Sequence, residues 1–231
     1  MKLSIDIPTK LEDITLRQYK RFFKVQEQTQ DNKLLNAKMI EIFCSSNLDD
    51  VMRLKLNDID TIVGMISKLF DQKPNLVRSF KVNKVEFGFH PQLDNLTLGE
   101  YIDLDTFIGD WNNMEKAMNV LYRPITAKLQ EKYSIEDYNV NLHPNIVDMP
   151  LSAVMSAIFF LWNLGIDLSS SMTNSLEEGQ TKALMDYLTS QGDITRIESI
   201  TELNVHTCFM MLAFMKEKNE LEAKQIKKKF K

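Results

Sequence analysis

Two nine-residue segments of this 231-residue chain, Leu11–Tyr19 (LEDITLRQY) and Leu93–Tyr101 (LDNLTLGEY), align without a gap, and both carry the signature of a helix start. In each, a threonine is followed three residues later by a residue whose side chain can reach back, Thr15 with Gln18 and Thr97 with Glu100. The threonine oxygen can accept the N–H of the third helical residue while the Gln or Glu accepts the threonine's own N–H, so two orphan donors are satisfied at once. Leu96 and Tyr101 stand at the two positions of a hydrophobic staple. Two readings stay open: independent uses of a common helix start, or one duplicated strand-to-helix unit whose strands share a small sheet. The second reading takes Leu3, Ile5 and Ile7 as the first strand.

Just ahead of the second segment, Phe80 and Val82 precede Asn83-Lys84, and Val85, Phe87 and Phe89 follow in strict alternation. That pattern predicts a hairpin with a two-residue turn and its large apolar groups on one face. Elsewhere the apolar spacing is helical. Helices are expected near 15–25, 33–44, 48–56 and 57–73, from Thr97 onward, and over a Trp111, Met114, Met118, Leu121, Tyr122 stripe that Pro124 interrupts. Ser134–Tyr138 repeats the capping logic more weakly, and Asn139–Met149 is the longest irregular stretch. Between Asp148 and Asp167 the chain is uncharged and apolar all round a helix opened by Pro150, which suits a buried core helix better than a membrane span. Ser169–Gln180 reads as a polar break, 181–188 as a short helix, and the last helix as starting near Ile200. Seven Gly and six Pro leave few breaks. The fold class is therefore mainly α, an α+β multi-helix globular bundle with a small β-hairpin or sheet. Its regions divide at 1–138 and 139–231, unless the chain forms one continuous domain.

A net charge of −4 marks no nucleic-acid binder, but the charge is unevenly placed. Residues 91–111 hold Asp94, Glu100, Asp103, Asp105 and Asp110 with no Lys or Arg, while residues 216–231 hold seven Lys against three Glu. Glu100, Asp103, Asp105, Asp110, Lys224, Lys227, Lys228 and Lys229 are the candidate interaction surface, which serves as a solvated face, as internal charge matching, or as complementarity between copies. The basic side of the first helix, Arg17, Lys20, Arg21 and Lys24, reads as solvated. Cys44 and Cys208 stand in apolar helical contexts as core residues, and the N-terminus lacks the pattern of a signal peptide.

Catalytic constellations are missing from the pattern. There is no phosphate loop, nucleotide-binding glycine pattern, paired-histidine zinc helix or Gly-x-Ser-x-Gly elbow, and His90, His143 and His206 are scattered. The acidic run could hold Mg²⁺, but Glu100 is already accounted for by its capping role. The expectation is a protein that is no enzyme and takes no cofactor.

The segments Ile5–Tyr19, Phe87–Asp105 and Met118–Ile125 (MNVLYRPI) resemble small proteins of tailed bacteriophages, in particular crAss-like phages of Bacteroidetes. The resemblance covers residues 1 to about 165 and rests on structural motifs rather than catalytic ones. It implies a virion protein, internal, cargo or in the portal and tail region, or else a tail assembly chaperone absent from the mature particle. A protein that acts on membranes during infection is the further alternative, through residues 149–166 and the Lys-rich end. Expected partners are other virion proteins or copies of itself, with nucleic acid and membrane not expected. Localisation would be the virion, after synthesis in the host cytoplasm.

Overall fold

A computed structural model describes residues 5–172, 201–208 and 210. The chain is a mainly helical α+β protein, as the sequence predicts. Its elements are α1 (Leu16–Gln28), α2 (Asn32–Phe43), α3 (Leu48–Val51), α4 (Leu56–Phe70), β1 (Ser79–Val82), β2 (Val85–Phe89), α5 (Leu98–Phe107), α6 (Met114–Leu121), β3 (Tyr122–Leu129), β4 (Lys132–Ile135) and α7 (Leu151–Met172). Two compact units divide these elements. The first is Met1–Pro91 with Phe107–Asn163, and the second is Gln92–Thr106 with Leu164–Lys231. The chain thus leaves the first unit for fifteen residues and returns, and the irregular stretch 139–149 lies inside the first unit rather than between two.

The four strands form one antiparallel sheet in the order β1-β2-β3-β4. The β1–β2 hairpin has the expected register, Val82 opposite Val85, and its two turn residues Asn83 and Lys84 have φ of 47° and 72°. Positive φ at both central positions is the turn whose twist matches the strands. Asn accepts that conformation far better than Lys. Lys84→Gly is therefore expected to stabilise the fold by about 1 kcal/mol, read as a higher midpoint in chemical denaturation, because it removes a Cβ from the left-handed region.

The other half of the sheet is a correction. The helical stripe from Trp111 breaks after Leu121, and Tyr122 begins β3, which runs straight through Pro124. Ser134 and Ile135, read as part of a helix start, lie in β4. Period alone misleads here, because Leu121, Tyr122 and Arg123 are all buried, so neither helical nor strand alternation marks the boundary. Proline is tolerated because it sits beside an irregularity in the β3–β4 register between Ile125 and Ala127. Among the described residues, 5–9 form no strand and join no sheet; Leu3 lies outside the described residues.

Helix limits shift for local reasons. The segment read as a third helix over 48–56 is helical only over Leu48–Val51, where Asn47 caps it, and α4 opens at Leu56. Helix α1 extends past Val25 to Gln28, and Asp31 then accepts the N–H groups of Lys33 and Leu34 to open α2. Helix α7 continues to Met172 across the start of the polar break. The short helix at 181–188 lies outside the described residues.

The core of the first unit brings together α6, the sheet and the first turns of α7. Ala117, Met118, Val120, Leu121, Tyr122, Phe87, Leu151, Val154 and Ala157 are all fully buried. Tyr122 is its centre. Its ring lies 5.1 Å from Phe80 and 5.2 Å from Phe89, and its hydroxyl donates to the Val77 carbonyl at 2.7 Å. Ser156, on α7, accepts the Val77 N–H at 3.1 Å and donates to Ala153. One residue of the approach to β1 is thus held at both its backbone groups by side chains of a strand and a helix. A second cluster of rings joins α1, α2 and α4, with Phe43 between Phe22 and Phe70, and Tyr19 against Phe70 and Trp111.

Candidate functional site

The two aligned helix starts behave alike in three dimensions. A single 3₁₀ turn, Leu11–Asp13 in one and Leu93–Asn95 in the other, precedes each threonine. Thr15 donates its N–H to Gln18 Oε1 at 2.9 Å and accepts the Gln18 N–H at 3.2 Å; Thr97 and Glu100 repeat the pair at 2.8 and 3.3 Å. Each threonine also pairs, as an isolated antiparallel bridge, with the residue that opens a later helical segment, Thr15 with Pro150 and Thr97 with Asn204. In the first unit the Leu16 N–H donates to Met149 O at 2.9 Å, and the Leu151 N–H donates to Ile14 O at 2.7 Å. In the second unit, Leu98 to Leu203 (2.7 Å) and Val205 to Leu96 (3.0 Å) are the matching bonds. These are two clasps of one design. Gly99 allows the second to close, since a Cβ there would stand 3.3 Å from both the side chain and the carbonyl of Thr201.

The acidic run does not form one surface. Glu100 is a correction: it is only 4% exposed, and its carboxylate is engaged in the helix cap rather than offered to solvent. A buried carboxylate is retained where hydrogen bonds hold it. Asp103 is half-buried and Asp105 exposed, both on α5 of the second unit. Asp110 belongs to the first unit, where it accepts the Asn112 N–H and the Asn113 side-chain amide. Those bonds hold its carboxyl below the ordinary aspartate value. Lys224, Lys227, Lys228 and Lys229 lie outside the described residues.

On the basic side of α1, Arg17, Arg21 and Lys24 are exposed, in keeping with a solvated face, and Lys20 is the exception; three of the four cations also make ion pairs within the first unit. Arg17 grips Asp148 in a fork, Nε to one oxygen at 2.6 Å and Nη2 to the other at 3.0 Å. Lys20 pairs with Glu115 where both side chains are mostly shielded, and Arg21 reaches Glu41, which also receives Lys38. Sequence reading missed these pairs because their partners lie 131, 95 and 20 residues away.

Several further polar groups of the first unit are held by the fold. Buried Asn119 donates to the Asn139 carbonyl and accepts the His143 N–H, while His143 Nδ1 accepts the Asn145 N–H. The His143 ring meets Phe87 edge-on at 5.0 Å, and Arg123 lies over the Tyr138 ring. Among the described residues no three His, Cys, Asp or Glu side chains gather in a way that could hold a metal ion.

Cys44, buried at the end of α2, has its thiol pushed up to about 11 by burial first and by the Asp6 carboxylate second. Its folded pKa exceeds the unfolded one, so the stabilisation is complete below about pH 9 and is lost as pH rises towards about 11. Denaturation midpoints should fall over that window, and the part of the fall due to this thiol should vanish in Cys44→Val.

Among the described residues no helix is long and apolar enough to cross a membrane. The most exposed large apolar side chains of the first unit include Leu129 (77%) near the end of the β3–β4 hairpin, Val140 and Trp162. Fold and site together define a mainly helical α+β protein whose two units each contain a clasp between helix starts. Comparison with protein-family models, with curated proteins and with solved structures gave no match to this chain.

Proposed function

We propose that this chain is a non-enzymatic bacteriophage protein that works through protein–protein contacts as part of the virion, as an internal or cargo protein or in the portal and tail region. The non-enzymatic part is carried by one observation: among the described residues, the buried Glu100, Asn119 and Ser156 side chains are hydrogen-bonded in holding the fold. Glu100 closes a helix cap, Asn119 ties α6 to the 139–143 segment, and Ser156 fixes the approach to β1. A reaction centre needs such groups poised with strained pKa values and an open approach. The phage part is supported by the sequence resemblance of residues 1 to about 165. Partners are other virion proteins or further copies of this chain, met through exposed groups such as Asp105 on α5 and Leu129 near the hairpin end.

Quantitative mass spectrometry of purified particles tests the reading. The expected result is that the chain is present in fixed ratio to the portal protein. Its absence from particles, with abundance in infected cells, would replace this reading with that of a tail assembly chaperone.

A further inference from the structure

The two clasps share more than their threonine arms. The partner arms fit the same frame, so that four segments read alike: Leu11-Glu-Asp-Ile-Thr-Leu16, Leu93-Asp-Asn-Leu-Thr-Leu98, Ile146-Val-Asp-Met-Pro-Leu151 and Ile200-Thr-Glu-Leu-Asn-Val205. Each has an apolar residue, two positions of which the second is Asp, Asn or Glu, an apolar residue, a helix-opening residue, and an apolar residue. Three of them contain a 3₁₀ turn at the same place, Leu11–Asp13, Leu93–Asn95 and Ile146–Asp148. In those three the residue before the bridge is extended in the same way, with ψ of 134° at Ile14, 136° at Leu96 and 150° at Met149. All four run into helix directly after the bridge position.

We infer that the chain carries one clasp twice, as internal copies, and that the four arms are versions of a single self-complementary helix-start unit. The hydrogen-bond pattern says which positions the unit constrains. In both clasps the bonds run from the residue after the bridge to the residue before it on the opposite arm. The bridge residue's own N–H takes no part in the clasp. Proline is accepted at 150 for that reason, and the extended residue before it is the conformation that proline requires. In the second clasp the same place is held by Asn204, whose side chain donates to Asp94 O and accepts the N–H groups of His206 and Thr207. The two clasps therefore differ in the residue at the bridge position, Pro150 or Asn204, and agree in their paired backbone hydrogen bonds.

The test is a pair of proline substitutions at adjacent positions, read by hydrogen exchange at the Leu98 amide in the full chain. Asn204→Pro, compared with Asn204→Ala so that the lost side-chain bonds cancel, should leave that exchange within about threefold. Val205→Pro removes the N–H given to Leu96 and, compared with Val205→Ala, should speed it by at least about tenfold. Grafting the first clasp's residues onto the second as Leu203→Met, Asn204→Pro and Val205→Leu should keep Leu98 protected. Leu16 and Leu151 report on the first clasp in the same samples. Loss of Leu98 protection in Asn204→Pro or in the graft would overturn the equivalence, as would an unaffected Val205→Pro. If Val205→Pro does not fold, the Asn204→Pro comparison and the graft decide the question alone.

Discussion

Tyr122→Ala is expected to be the most destabilising single change in the first unit, costing about 4 kcal/mol, the range for emptying a buried aromatic site. Nothing of Tyr122 reaches solvent, and its ring touches Phe80 and Phe89 from β1 and β2. Its hydroxyl holds the Val77 carbonyl, which has no role in the sheet ladder. Tyr122→Phe separates the two contributions. It keeps the packing and leaves the part-buried Val77 carbonyl short of a donor, at a cost of about 1–2 kcal/mol. Urea denaturation of both variants measures the split, and a Tyr122→Phe loss as large as the alanine loss would show that the hydroxyl, rather than the ring, holds the core. Burial also drives the phenol far above its ordinary pKa, so it stays protonated and able to donate throughout the accessible pH range.

Gly88→Ala comes second, at about 2–3 kcal/mol, the upper part of the range for overpacking. Gly88 lies in β2, opposite Ser79 on one side and Arg123 on the other. A Cβ there would meet the Tyr133 ring, with Cδ2 at 2.9 Å and the Ile125 side chain at 3.0 Å. The ring cannot simply swing away. Its hydroxyl donates to Phe89 O at 2.7 Å and to Arg78 O at 3.0 Å, so it is pinned across the strand whose glycine makes room for it. This is an aromatic side chain covering a strand glycine. The coupling predicts strong non-additivity: in a Tyr133→Ala background, Gly88→Ala should cost little. Equal cost in both backgrounds would locate the strain elsewhere.

Both predictions concern residues that look unremarkable in the linear chain. Phe-Gly-Phe within an alternating run reads as a strand with a weak spot, and nothing near it announces Tyr133, which arrives from β4 after forty-four residues. By contrast, the Asn83-Lys84 turn and the Thr15 and Thr97 caps were legible because each rests on residues within a few positions of one another. Local hydrogen bonds and local φ preferences leave a mark at fixed spacing. The correction at the candidate surface has the same origin. Glu100 was assigned both a capping role and a surface role from its type, and burial left only the first. Lys20 is drawn out of solvent by Glu115, because a cation's partner, unlike a cap's, can be anywhere in the chain.

The sequence by itself determined the mainly helical class, the caps that start α1 and α5, the β1–β2 hairpin, and the likeness of the two helix starts. These are encoded by propensity, period and short-range bonding, which act within one turn or one hairpin. Only the tertiary structure decided that the Tyr122 segment leaves α6 as a strand, that the sheet has four members, and that each threonine arm pairs with a second arm across 135 or 107 residues. Those outcomes depend on backbone groups and apolar faces meeting over long separations, where the chain's own pattern states what each segment can bury but not which distant segment will bury it.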